Sequence, residues 1–242
     1  MSHGALILGR RRGAEPCASC EARPYSVCSA IGEADLQRLS AVAMPSRADV
    51  GQTFINEGDL ASSFFNVTEG TARLFTLMPD GRRQITGFAG RGDFLGLAAW
   101  ETYAFSAEAI EPVRYCRFSR QHIRDLLDDF PAFEKRLLAI ASHELAAAQQ
   151  QMLLLGRKTA RERVATFLLA RSLDAAPCAA PVRHLRLPMT RGDIADYLGL
   201  TIETVSRTLT RLKREHLIGI PNVSEILIQD RRGLEAASGG SA

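Results

Sequence analysis

The chain has 242 residues, 46% of them hydrophobic and 24% charged, with a formal net charge of +3. That length suits two modest domains and can bury ample core without disulfide staples. No apolar run approaches the roughly 20 residues of a membrane span, and no long apolar stretch with a small-residue cleavage site follows Arg10-Arg11-Arg12, so a cytoplasmic setting with reduced thiols is expected. Charge is unevenly spread: residues 156–219 carry 12 Arg and Lys against 6 Asp and Glu, whereas the remainder carries 18 against 21. A basic segment on a mildly acidic body is either a nucleic-acid footprint or an ordinary solvated face.

Residues 1–16 are small, polar or basic and read as a mobile arm. A cysteine-rich stretch ends that arm near residue 30, and a short helix is expected from Ile31 to Met44. From Asp49 to about Arg117 short apolar runs (Thr53-Phe54-Ile55, Phe64 to Val67, Ala72 to Phe75, Ile85 to Phe88) alternate with turns. The turns are Glu57-Gly58-Asp59, Glu69-Gly70, Pro79-Asp80-Gly81 and Gly90 to Asp93. Such spacing predicts a small antiparallel sandwich or roll over residues 31–129. After Pro131 the period becomes helical. Leu138, Ala141, Leu145, Ala148, Met152 and Leu155 are spaced three and four apart, as in a heptad seam, so one helix over 130–157 and a homodimer contact are expected. A helix packed on its own sheet has the same pattern. Two alanines bury little apolar area, so the seam alone is weak.

Lys158 to Leu173 predicts a second amphipathic helix, followed by a Pro-, Ala- and Cys-containing connection from Asp174 to Pro181. Thr190-Arg191-Gly192-Asp193 has the form of a capping box, with Ile194, Ala195 and Leu198 on one apolar face. Gly199 suits a sharp inter-helix turn, and Thr201 suits the N-cap of a next helix whose Val205, Leu209 and Leu212 point inward. Glu203, Ser206, Arg207, Thr210 and Arg211 then lie outward. A carboxylate accepts from cytosine and a guanidinium bonds guanine O6 and N7 together, although Glu203 and Arg207, four apart, also fit a plain surface ion pair. Leu217 to Asp230 reads as a hairpin wing, closing a unit over 158–234, with 235–242 as a flexible tail.

Thr190 to Ile218, TRGDIADYLGLTIETVSRTLTRLKREHLI, resembles the helix-turn-helix of the Crp/Fnr family, and Glu-x-x-Ser-Arg at 203–207 resembles its Fnr branch. The similarity extends over roughly residues 17–230. It implies an α+β chain: a cyclic-nucleotide-binding-like β-roll, a long dimerisation helix and a C-terminal winged helix-turn-helix. It implies a homodimer on double-stranded promoter DNA with TTGA-type inverted repeats, contacted by Thr201, Glu203, Ser206, Arg207 and Arg211. The Pro79 to Arg83 turn resembles a family hairpin that touches RNA polymerase, and a solvated hairpin tip looks the same.

The signal needs a separate reading. The family's cyclic-nucleotide binders place a Glu and an Arg where this chain has Leu97 and Phe105, and a buried phosphodiester without a cation is costly, so no cyclic nucleotide is expected. Haem attachment has no Cys-x-x-Cys-His, and the five histidines are scattered singly. Cys17-x-x-Cys20, seven residues, then Cys28, together with Cys116, supply four thiolates that suit a [4Fe–4S] cluster or a tetrahedral zinc, and a metal-independent regulator with an idle cysteine arm is the alternative. The arrangement is similar to that of oxygen-sensing Fnr-like regulators, and this resemblance implies a [4Fe–4S] cluster whose loss in air loosens the dimer. Oxygen-sensitive members often carry an acidic residue where Ala148 stands. Cys178 is expected to be a bystander. No clustered nucleophile and base or phosphate-cradling loop points to an enzyme.

Overall fold

The computed structural model describes residues 17–97, 101–174 and 183–240. The expected mobile arm, residues 1–16, and Cys178 lie outside the described residues. From Cys17 onward the arm is folded: 3₁₀ turns at Arg23–Tyr25 and Val27–Ala30 bury Val27 and Cys28. The helix expected from Ile31 to Met44 is shorter, a 3₁₀ turn at Glu33–Asp35 running into α1 (Leu36–Val42). Pro45 disfavours helical backbone at the residue before it, so Met44 already begins strand β1 (Met44–Ala48).

The roll consists of β1, β2 (Thr53–Ile55), β3 (Ser63–Glu69), β4 (Ala72–Leu77), β5 (Arg83–Ala89), β6 (Phe94–Leu95), β7 (Ser106–Ala109) and β8 (Val113–Ser119). These form two four-stranded antiparallel sheets, ordered β1-β8-β3-β6 and β2-β7-β4-β5. Alternation sends Ile55, Phe65, Val67, Leu95, Ala107 and Val113 into the space between them. The opposite face of β3 and β8, carrying Phe64 and Phe118, is also buried. It packs under the cysteine segment, α1, α2 (Arg120–Asp129) and the start of α3 (Pro131–Arg157). Gly92, at φ +95, is needed twice over: its turn is left-handed, and a Cβ there would lie 2.9 Å from the Tyr25 Cβ.

Helix α3 has 27 residues, about 40 Å at 1.5 Å per residue. Leu138, Leu145 and Met152 are exposed, at 66%, 61% and 68%, while Phe133, Leu137 and Ile140 pack on the cysteine side. Ala148 is exposed and Ala141 half-buried within the same stripe. Leu155 departs from the seam expectation. It is half-buried against the C-terminal core, beside buried Leu154, because the last turn of α3 meets the next domain instead of continuing along the stripe.

That domain comprises α4 (Ala160–Asp174), β9 (His184–Arg186), α5 (Arg191–Leu198), α6 (Ile202–Arg214), β10 (Ile218–Asn222), β11 (Glu225–Ile228) and α7 (Arg231–Ala237). The wing is a three-stranded sheet ordered β10-β11-β9, one strand more than the hairpin expected. The expected tail at 235–242 starts inside a helix: α7 is capped by Asp230 and buries Leu234 and Ala237, which ties the segment down.

Candidate nucleic-acid interface and metal centre

The capping box forms as the sequence indicates. Thr190 Oγ1 accepts from the Asp193 amide at 3.1 Å, and Asp193 Oδ2 accepts from the Thr190 amide at 2.9 Å. Gly199 ends α5 in the left-handed region at φ +59. Thr201 then caps α6, accepting from the Thr204 amide at 3.2 Å. Val205, Leu209 and Leu212 are buried, so 3.6-residue geometry leaves Glu203, Ser206, Arg207, Thr210 and Arg211 exposed. Ser206, Arg207, Thr210, Arg211 and Arg214 line one shallow cationic cleft along α6.

Glu203 is held below the usual carboxylate range by its own backbone amide, then by the Thr201 hydroxyl and the Arg207 charge. It stays an acceptor at neutral pH. Arg211 is not fully free: its Nε donates to Glu215 Oε1 at 2.9 Å, and Arg161 of α4 pairs with the other Glu215 oxygen at 2.5 Å. Arg207 is the more available of the two guanidiniums, and it sits in the N-terminal half of the helix, the part that enters the major groove in such motifs.

Two positioning groups escaped the sequence reading. Arg163 of α4 donates to the Leu155 and Leu198 carbonyls, each at 2.8 Å, and to the Lys158 carbonyl at 2.9 Å. It thereby joins the end of α3 to the helix-turn-helix turn. Asp193, its side chain 2% exposed, pairs with Arg73 of β4 at 2.7 Å and Arg83 of β5 at 3.1 Å, while Asp196 pairs with Arg83 at 2.8 Å. Arg83, expected in a polymerase-facing or solvated hairpin, instead clasps α5. The hairpin tip itself, Pro79 to Arg82, is exposed, flanked by exposed Leu77 and Met78.

The roll keeps Leu97 and Phe105 packed against apolar neighbours. The described histidines, His122, His143, His184 and His216, are exposed and apart. Cys17, Cys20, Cys28 and Cys116 are brought together, all free of disulfides. Burial, and then charge repulsion from Cys17, Cys116 and Cys20, push the Cys28 thiol up to about 12 against a hydrogen bond from Ser26. Burial with repulsion from Cys17 and Cys20 raises Cys116 to about 11. Four thiols within Coulombic reach of one another, with two of them buried, are costly to ionise unless a cation joins them. That donor set fits a sulfur-ligated metal group. Among the described residues no three His, Cys, Asp or Glu side chains converge on one point as for a single ion; cluster thiolates each bind a separate iron and need no such convergence.

The chain matches the model of a Crp-like helix-turn-helix domain over residues 162–237 and that of a cyclic nucleotide-binding domain over 47–130. It is 44% identical to the transcriptional activatory protein AadR of Rhodopseudomonas palustris over 201 residues, covering 83% of this chain and 84% of that one. It is 36% identical to the transcriptional activator protein FnrL of Cereibacter sphaeroides, covering 93% of each. FixK2 from Bradyrhizobium japonicum is a structural neighbour with TM-score 0.76 and 35% identity, covering 83% of this chain and all of that one. These relatives are regulators, not enzymes, and no helix among the described residues is long and apolar enough to cross a membrane. With its roll, long helix and winged reader accounted for, the chain belongs to the Crp/Fnr family of transcription regulators.

Proposed function

We propose that the chain is an oxygen-responsive cytoplasmic regulator that binds TTGA-type inverted repeats as a homodimer, with Cys17, Cys20, Cys28 and Cys116 holding a [4Fe–4S] cluster. One observation carries this reading. The cysteine segment and Cys116 share a packed unit with Phe133, Leu137 and Ile140 of α3, the helix whose other side exposes Leu138, Leu145 and Met152. What the thiols hold therefore bears directly on the helix that would pair with a second copy.

The group supplies oxygen-labile metal–thiolate bonds. The chain's own residues do the rest. Cys17, Cys20 and Cys28 tie the N-terminal segment to Cys116 on β8, and binding free energy available only to the ordered segment stabilises that arrangement by linkage. The segment holds the first turns of α3, and the weak alanine-containing seam leaves dimerisation open to bias. On DNA, Arg207 and Glu203 read base edges, Thr201, Ser206 and Arg211 contribute polar contacts, and the exposed Pro79 to Arg82 part of the β4–β5 turn is left to face RNA polymerase.

The test is anaerobic purification with iron and sulfide analysis, a visible spectrum, and gel shifts on an inverted TTGA repeat before and after air. A brown protein that bleaches in air and loses affinity is expected. A colourless protein with zinc or no metal, binding equally in air, overturns the sensing half and leaves the DNA-reading half standing.

A further inference from the structure

The sheet face beneath the cysteine segment carries a polar side chain that packing does not require. Asn66 lies in β3 among Phe64, Phe65 and Val67. It is 1% exposed, and its Oδ1 has no hydrogen-bond partner. A buried amide oxygen without a partner opposes folding, and apolar residues suit such a strand better. The register says what Asn66 faces: its Cα is paired with Cys116 on one side and with Phe94 on the other. Directly opposed residues of an antiparallel pair project to the same face, with Cβ atoms about 4.5–5.5 Å apart. Phe64, two positions earlier, stacks on Phe94 at 5.5 Å, so this is the face that packs under Cys17 and Cys28.

Resting on the cluster reading above, we propose that Asn66 is a positioning residue for the metal group, its side-chain amide donating a hydrogen bond to the Cys116 sulfur when the four cysteines are metallated. The chemistry of the two states supports this. A free thiol is a weak donor, whereas a metal-bound thiolate is an acceptor. The amide has an oxygen and an NH₂ of nearly the same shape, so a half-turn of its end group converts an acceptor into a donor at the same place. Donors to cluster sulfurs spread their negative charge and set how readily the group is oxidised. The end of the amide that faces Cys116 thereby gains a partner in the loaded chain.

The test uses the full chain, reconstituted anaerobically with ferrous iron and sulfide, as wild type, Asn66→Leu and the donor-retaining Asn66→Thr. Two readouts are taken: the visible bleaching rate in air-saturated buffer and the melting temperature of the metal-free protein. Asn66→Leu is expected to bleach on the order of tenfold faster, or to take up no cluster, while its metal-free form melts at the same or a higher temperature. Asn66→Thr is expected to lie between it and wild type in bleaching. A Leu variant that bleaches at the wild-type rate overturns the proposal. So does one whose metal-free form melts well below wild type while Asn66→Thr bleaches normally, which marks a purely structural residue. A wild type that takes up neither iron nor sulfide defeats the cluster reading itself, an outcome distinct from both.

Discussion

Arg73 of β4 and Asp193 of α5, 120 positions apart in the chain, are joined at 2.7 Å, and the same carboxylate serves as the N3 residue of the capping box that starts the helix-turn-helix. One side chain thus starts the first helix of the helix-turn-helix and fastens it to the roll. Glu108 holds the other end of the Arg73 guanidinium at 2.7 Å, which fixes its direction. Phe75, Ile85 and Phe88 of the roll extend the contact into the core of the C-terminal domain. The two domains therefore meet through a mixed polar and apolar interface.

Asp193→Asn is expected to lower stability by roughly 2 kcal/mol, combining a weakened cap with a buried pair left half-made. Burial alone would raise the Asp193 carboxyl, but the Thr190 hydroxyl and amide and the Arg73 guanidinium outweigh it and hold the group below its ordinary value. The sign follows. A depressed carboxylate contributes stability fully above the unfolded aspartate value, near 3.9, and loses it as pH falls through the lower folded value. Urea midpoints measured from pH 7 down to pH 3 should fall more steeply for wild type than for Asp193→Asn. Parallel curves would remove Asp193 from the acid response.

Arg163→Ala should cost roughly 3 kcal/mol, because three backbone carbonyls at the α3–α4 corner and the α5 turn lose a charged donor together. Lys cannot span three separated acceptors as a planar guanidinium does, so Arg163→Lys should recover less than half of the loss. Thermal melts of both variants provide the check. Since Leu155 belongs to α3 and Leu198 to the reader, gel-shift affinity should fall as well, and unchanged affinity would separate this corner from DNA reading.

What the sequence makes legible here is local. Strands appear where apolar alternation is bracketed by turn glycines, and Gly58, Gly70, Gly81 and Gly92 all take positive φ. The reader is legible because its cap, glycine turn and second cap lie within a dozen residues of one another. The Arg73–Asp193 pair was hidden because sequence spacing carries no sign of which loop-separated surfaces meet. Leu155 reads as part of the seam because heptad spacing continues past the point where the neighbour changes. Strand β9 is only three residues long, too short for alternation to show. Asn66 gave no local signal at all: an asparagine in an apolar strand acquires meaning only from its register against Cys116.

Arg207 and Arg211 should separate by mechanism. Arg207→Ala is expected to lose about 1–3 kcal/mol on the inverted repeat and to relax discrimination at one base pair of each half-site. Arg211, held by Glu215, offers charge to the backbone more than a base-reading fork. Arg211→Ala should weaken specific and non-specific binding alike and reduce the salt slope by about one unit per subunit. Gel-shift titrations at several salt concentrations, on consensus and single-mismatch repeats, distinguish the two. An Arg207→Ala protein with intact discrimination would contradict the assignment of base reading to this side chain.

Ala148 provides the sharpest test of the seam. It lies exposed on α3 between Leu145 and Met152, a small residue at a position that would face its own counterpart across a two-fold axis. Ala148→Leu adds three carbons to each copy, about 2 kcal/mol per protomer at ~0.8 kcal/mol per buried methylene. Ala148→Asp sets two carboxylates together in a closing interface, where like charges disfavour association. Sedimentation at micromolar concentration should show the Leu variant dimeric with and without air and the Asp variant largely monomeric in air. The native protein, with neither the repulsion nor the extra area, should change its dimer fraction with air less than Ala148→Asp does. If all three proteins have the same dimer fraction, the stripe of Leu138, Leu145 and Met152 is not the surface through which two copies meet.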